Sequence, residues 1–149
     1  ARYVFKGMRE KTEVMERVFW KLGDQNLKYM ELVKEYGGDL ISYADSSGGV
    51  NILGPKMMED VTVNFTYPFL KKIEQLADDK TMILLCPKTT LALIGTEKAK
   101  FVDHELEDTI GNAQACIHMR GKAHFAGQMC IKNVGYQLNH GIFKEVKLL

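Results

Sequence analysis

Two of the three cysteines and one histidine stand where the chain passes from apolar to polar. Cys86 closes the run Met82-Ile83-Leu84-Leu85, His104 lies between Asp103 and Glu105 after Ala99-Lys100-Phe101-Val102, and Cys130 follows Gln128 and Met129. Thiolates with an imidazole favour zinc over magnesium, and a Cys-His-Cys set with an open fourth position would bind and deprotonate a thiol or activate water. Asp45 closes the run Leu40-Ile41-Ser42-Tyr43-Ala44 and adds a carboxylate able to orient a substrate or a ligand. A plainer reading stands beside this one. A cysteine at a strand end also serves as a small buried hydrophobe, a histidine between two carboxylates suits a solvated loop, and the spacings C-x17-H and C-x43-C match no compact zinc motif.

The other reactive side chains have simpler places. Cys116 falls at helical spacing with Ile110 and Met119 and belongs to a core, while His118, His124 and His140 have no ligand partner at helical spacing and belong to the surface. Lys71-Lys72 and Asp78-Asp79-Lys80 are solvated charges at helix ends. The loop Asp45-Ser46-Ser47-Gly48-Gly49 could cradle an anion with its N–H groups, but it lacks the spacing of a phosphate or dinucleotide loop, which leaves an ordinary strand-to-helix connection.

The elements that must position these groups follow from periodicity. Met15, Phe19, Leu22, Tyr29, Val33 and Tyr36 keep one face of a 3.6-residue period and predict a long helix over 12–36, bent rather than broken at Gly23 and capped by Gly37 and Gly38. A buried strand is expected over 40–44. A second helix starts at Pro55, runs to Leu76 and kinks at Pro68. The clearest strand is 82–86, ended by Pro87. A short helix at 91–96, a strand at 99–102, a helix at 110–119, a strand at 123–129 and a last helix toward Leu149 complete the alternation. Strands alternating with helices and apolar on both faces predict an α/β fold with a parallel sheet and right-handed crossovers. In such sheets ligands bind outside the carboxyl ends of the strands, where Asp45, Cys86, His104 and Cys130 are expected to gather.

Composition narrows the function classes. The 149 residues carry 20 basic and 19 acidic side chains and are 46% apolar, as in a soluble globular domain, and 1–149 reads as one α/β domain. A formal charge of +1 gives no basic face for a nucleic acid or an anionic membrane. Three cysteines at unrelated spacings argue against a disulfide framework and for reduced thiols in a cytoplasm. The chain enters and leaves in mid-pattern, which is expected of a piece of a longer protein.

Gly7-Met8-Arg9-Glu10-Lys11, Tyr43-Ala44-Asp45-Ser46, Leu53-Gly54-Pro55, Tyr67-Pro68-Phe69-Leu70-Lys71-Lys72-Ile73 and the strand ending in Cys86 occur in an order that resembles the uroporphyrinogen decarboxylase superfamily. The resemblance covers most of the chain and implies the C-terminal half of a TIM (β/α)8 barrel. The superfamily holds uroporphyrinogen decarboxylase, of porphyrin biosynthesis, and corrinoid-dependent methyltransferases that pass a methyl group to a thiol. For the methyltransferases it implies a corrinoid protein as partner and, of the candidate metal ligands, carries over Cys86 alone; His104 and Cys130 stand as secondary ligands on the strand-end reading, with Asp45 orienting substrate or ligand. For the decarboxylase it implies Asp45 near pyrrole nitrogens and no metal. The sequence departs from the methyltransferase pattern His-x-Cys, because Leu84 holds the histidine position. Residues 126–133 match the family's glycine-asparagine loop only loosely. Half a barrel would also expose two sheet edges, from which a homodimer through those edges is expected. Catalysis on a barrel draws on several strand ends. A catalytically inactive fragment is therefore the third expectation.

Overall fold

The computed structural model describes residues 2–45, 48–106, 109–130, 132–133 and 135–149. Ser46 and Ser47 of the loop after Asp45, and Ile131, lie outside the described residues. A short helix α1 (Arg2–Glu10) is followed at once by α2 (Thr12–Glu35), which runs through Gly23 without interruption. A β-carbon at Gly23 would stand 3.3 Å from the Phe69 ring, so the glycine lets α2 approach the next long helix closely. At its end the N–H of Gly37 donates to the Lys34 carbonyl and that of Gly38 to the Val33 carbonyl, with Gly37 at φ 79°. These two bonds form a Schellman cap, as the paired glycines predict.

Strand β1 (Leu40–Tyr43) leads through α3 (Val50–Leu53) into α4 (Pro55–Val61), a π-helical turn (Thr62–Thr66), α5 (Tyr67–Ile73) and a 3-10 turn (Glu74–Leu76). The expected kink at Pro68 takes the form of the π turn. Proline has no N–H for the carbonyl four residues back, and a wider turn accommodates the break. Strand β2 (Met82–Leu85) is buried along its whole length, and Pro87 opens α6 (Pro87–Gly95) directly behind it, earlier than periodicity alone predicts.

From here the parallel alternation gives way. Strand β3 (Ala99–Glu105) takes in Asp103, His104 and Glu105, which were expected in a loop. After β4 (Ile110–Gly111), α7 (Asn112–His118) and β5 (Phe125–Ala126), the chain forms β6 (Gln137–Leu138), a 3-10 turn (Asn139–Gly141) and β7 (Ile142–Leu148), where a helix was expected. The main sheet has the order β1-β2-β5-β7-β3. β1, β2 and β5 are parallel, whereas β7 runs antiparallel to both β5 and β3. The fold is thus α/β with a mixed five-stranded sheet, which corrects the all-parallel expectation. The reason is the seven-residue ladder pairing Ala99 with Leu148 through Glu105 with Ile142. It satisfies two strands' backbones at once and joins residues far apart in sequence.

Alternate residues of β2 feed two cores. Ile83 and Leu85 pack with Met30 of α2, Leu70 and Ile73 of α5, Phe125 and Val146, while Met82 and Leu84 pack with Cys116 and Met119, Ala126 and Phe143. Both faces of the sheet are therefore covered at its centre. Among the described residues no helix is long and apolar enough to cross a membrane.

Candidate functional site

The register β1–β2 sets Tyr43 beside Leu85, so Asp45 and Cys86 leave neighbouring strands at the same carboxyl rim. The Cys86 N–H donates to the Tyr43 carbonyl at 3.0 Å, carrying the pairing one residue past the strand. Cys86 then caps α6, its carbonyl accepting the N–H of Thr90, and its side chain stays half-buried. The Asp45 carboxylate accepts the Gly48 N–H at 2.9 Å, which ties the half-buried side chain to its own loop.

An open groove of about 610 Å³ lies against this rim, between α1 and α2 on one side and the α4–α5 stretch on the other. Its walls are aromatic. Phe65 meets Phe19 edge-on with ring centres 5.0 Å apart and Trp20 at 6.5 Å, and Tyr43 lies 5.8 Å from Phe69. Asp45 lines the groove, together with Asn26 and Thr66 as polar neighbours. Burial, with the Asp45 charge beside it, pushes the Tyr43 hydroxyl up to about 12, so Tyr43 stays a neutral donor at neutral pH. The arrangement suits a small molecule with an apolar body and a positive or hydrogen-bond-donating group: aromatic faces attract cations and the carboxylate adds its charge. Periodicity places Phe19, Phe65 and Phe69 only in helix cores. The signal that they share a groove with Asp45 is that two helices flank one strand end.

The other sequence-predicted residues are spread out. By register, His104 falls in the same row of the sheet as Cys86, but β5 and β7 lie between them, which separates the two backbones by about 14 Å at three strand spacings. His104 instead faces Glu145 of β7, Nε2 to Oε2 at 2.9 Å, with Phe143 beside its ring. Gln128 accepts the Lys144 N–H and so fastens the end of β5 to β7. Cys130 is half-buried in the following turn, its carbonyl accepting the Asn133 N–H. Among the described residues no three of His, Cys, Asp and Glu are grouped to hold a metal ion. Among the described residues the structure does not bring Cys86, His104 and Cys130 together into the Cys-His-Cys set that the sequence suggests.

Cys116 is fully buried, and burial pushes its thiol up to about 11, in keeping with a core role. His118, His124 and His140 are exposed as expected, His124 facing Glu74 at 3.1 Å. Asp78 does more than a solvated helix-end charge. Its Oδ1 accepts the N–H groups of Lys80 and Thr81, and its Oδ2 meets Lys34 Nζ at 2.7 Å. The Lys34 bond and these backbone donors hold its carboxyl down at about 2.

Compared with known proteins, the chain matches no family model, no curated protein and no solved structure.

Proposed function

We propose that the groove beside Asp45 binds a small organic cation, and that the chain contributes this cleft to a methyl-transferring enzyme similar to the uroporphyrinogen decarboxylase superfamily methyltransferases. The observation that carries the reading is the Asp45 carboxylate set into a groove walled by Phe19, Trp20, Phe65 and Phe69. Methylated ammonium and sulfonium groups are the methyl carriers that such a wall and charge select, because each spreads positive charge over apolar methyl groups. Cys86, one strand over at the same rim, is the thiol nearest in topology to this cleft. The parallel registers of β1, β2 and β5 are the part of the sheet that accords with a (β/α)8 barrel, whereas β7, antiparallel beside β5, departs from one.

The decarboxylase reading has less support. Among the described residues, the groove lining offers Asn26, Tyr43, Asp45 and Thr66 as polar side chains and no arginine or lysine. A porphyrinogen's carboxylates require guanidinium partners.

Trp20, the single tryptophan, reports on the groove by fluorescence. Titration with tetramethylammonium and trimethylsulfonium is expected to shift its emission saturably, while a neutral tert-butyl alcohol of similar size and a polycarboxylate porphyrin bind at least about tenfold more weakly, a difference near 1.4 kcal/mol. Equal affinity for the neutral compound, or tighter binding of the porphyrin, overturns the proposal. Metal analysis of tag-free protein bears separately on zinc, with Cys86→Ser as the control for a thiolate ligand.

A further inference from the structure

Helix α2 carries a second apolar stripe apart from the one it buries. Its inward face holds Met15, Phe19, Leu27 and Met30. About a quarter turn away stand Val18, Leu22, Gln25, Tyr29, Leu32 and Tyr36, spaced alternately four and three residues apart. This is the spacing of a coiled-coil seam, in which one side of a helix meets another helix over its whole length. Every apolar member is exposed, from 43% at Val18 to 85% at Tyr36. Single exposed apolar residues need no explanation, but a continuous row along a 24-residue helix does.

We propose that this stripe is the interface of a twofold dimer in which α2 packs antiparallel against α2 of a second copy. The stripe is self-complementary. With the axis beside Leu27, Val18 lies opposite Tyr36 of the second copy, Leu22 opposite Leu32, and Gln25 opposite Tyr29, so every layer of the seam is filled and the one polar position meets a phenol. The solvent-side flank of the stripe carries Lys21, Lys28 and Glu35. Antiparallel pairing sets Lys21 of each copy opposite Glu35 of the other, giving two opposite-charge pairs. A parallel pairing would oppose Lys21 to Lys21 and Glu35 to Glu35. Lys28 meets its own copy at the axis, where its long stem lets the ammonium swing to water. A second groove, lined by Tyr29 and Val33 of α2 and by all of β1, lies next to the stripe. Among the described residues β1 has no strand on its outer side, so a copy seated on the stripe also shields that edge. Leu22 of the stripe also lines the Asp45 groove, and the second groove shares Asn26, Tyr43 and Asp45 with it, but the dimer rests on the spacing and charges of α2 and not on what that groove binds.

The experiment joins sedimentation velocity with site-directed cross-linking. Wild-type protein is expected to dimerise reversibly, and Tyr29→Glu to weaken the dimer at least about tenfold, since the seam would bury an unpaired charge. Position 29 is exposed, so the variant is expected to keep the wild-type circular dichroism and melting profile. Lys28→Cys is expected to form an intermolecular disulfide across the axis under mild oxidation, while Lys100→Cys on the outer strand β3 is not. A protein that stays monomeric at high micromolar concentration overturns the proposal. So does a dimer that is indifferent to Tyr29→Glu and cross-links through residue 100, which would place the contact at the β3 edge.

Discussion

The two ends of the sheet are built differently. On one side β1, β2 and β5 run parallel, and every residue of β2 is buried beneath helices. On the other, β7 and β3 form an antiparallel ladder whose outer strand leaves Lys100, Phe101, Asp103 and Glu105 exposed. The parallel side points its carboxyl ends at a groove and ends in Asp45 and Cys86. The antiparallel side ends in polar pairs, a hydrogen bond between His104 and Glu145 and an ion pair between Lys144 and Asp103. Parallel strands need crossing helices, and those helices build the walls of a cleft, whereas an antiparallel pair closes an edge without them. Chemistry-bearing residue types occur on both sides: the parallel side sets a carboxylate, Asp45, among Phe19, Trp20, Phe65 and Phe69, while the groove on the antiparallel side sets Lys144 and Gln128 beside Phe101 and Tyr136.

Core substitutions sharpen the contrast most. Ile83→Ala in β2 is expected to lower unfolding stability by about 2–5 kcal/mol, because it empties a site packed by α5, β5 and β7. Phe101→Ala on β3, at a side chain 38% exposed, is expected to cost clearly less under the same denaturant titration. Equal losses would mean that the two sides share one uniform core.

The junction comes next. A β-carbon at Gly127 would fall 2.2 Å from Thr90 Oγ1 and 2.9 Å from Val146 Cγ2, between α6 and β7. Gly127→Ala is expected to destabilise by about 1–3 kcal/mol through overpacking, read from the shift in denaturation midpoint, and Thr90→Ala in the same chain, which removes Oγ1, should relieve only part of that loss because the Val146 contact persists.

Acid separates the sides further. Asp78 ties α2 to the approach of β2, and its carboxyl is held at about 2 against an ordinary 3.8. A lowered folded-state pKa gives stabilisation that is complete above the ordinary value and is lost as pH falls from 3.8 toward about 2. Asp78→Asn is expected to lower the melting temperature at neutral pH and to flatten its decline across that acid window. An unchanged slope would remove Asp78 from the account. The smallest effect belongs to the antiparallel side. His104→Ala is expected to cost about 1 kcal/mol, as a single partly exposed hydrogen bond does, and a much larger loss would mark the His104–Glu145 pair as a support of the whole ladder.

What could be read from the sequence follows the same division. α2, β1 and β2 were legible because a 3.6-residue stripe, a double-glycine stop and a fully apolar run are local signals. Pro68 marked the place of the π turn, and Pro87 the end of β2. The extension of β3 through His104 was hidden, because its polar residues become strand only when β7 supplies partners some forty residues later in the chain. β7 itself, with Lys144, Glu145 and Lys147 among Phe143, Val146 and Leu148, shows neither clean alternation nor helical period. Asp45 and Cys86 were correctly expected at one rim because adjacent parallel strands end together. The groove's aromatic wall was not foreseen, since its members come from three helical segments whose meeting depends on tertiary packing.

The central claim is that Asp45 supplies the charge that selects a cation in the aromatic groove. Its most direct test is the ratio of tetramethylammonium affinity to that of its neutral tert-butyl isostere, measured by Trp20 fluorescence in wild-type protein and in Asp45→Asn. The account predicts a strong cation preference that falls at least about tenfold in the variant, with affinity for the neutral compound unchanged. A preference that survives the substitution, or that is missing from the wild-type protein, would contradict it.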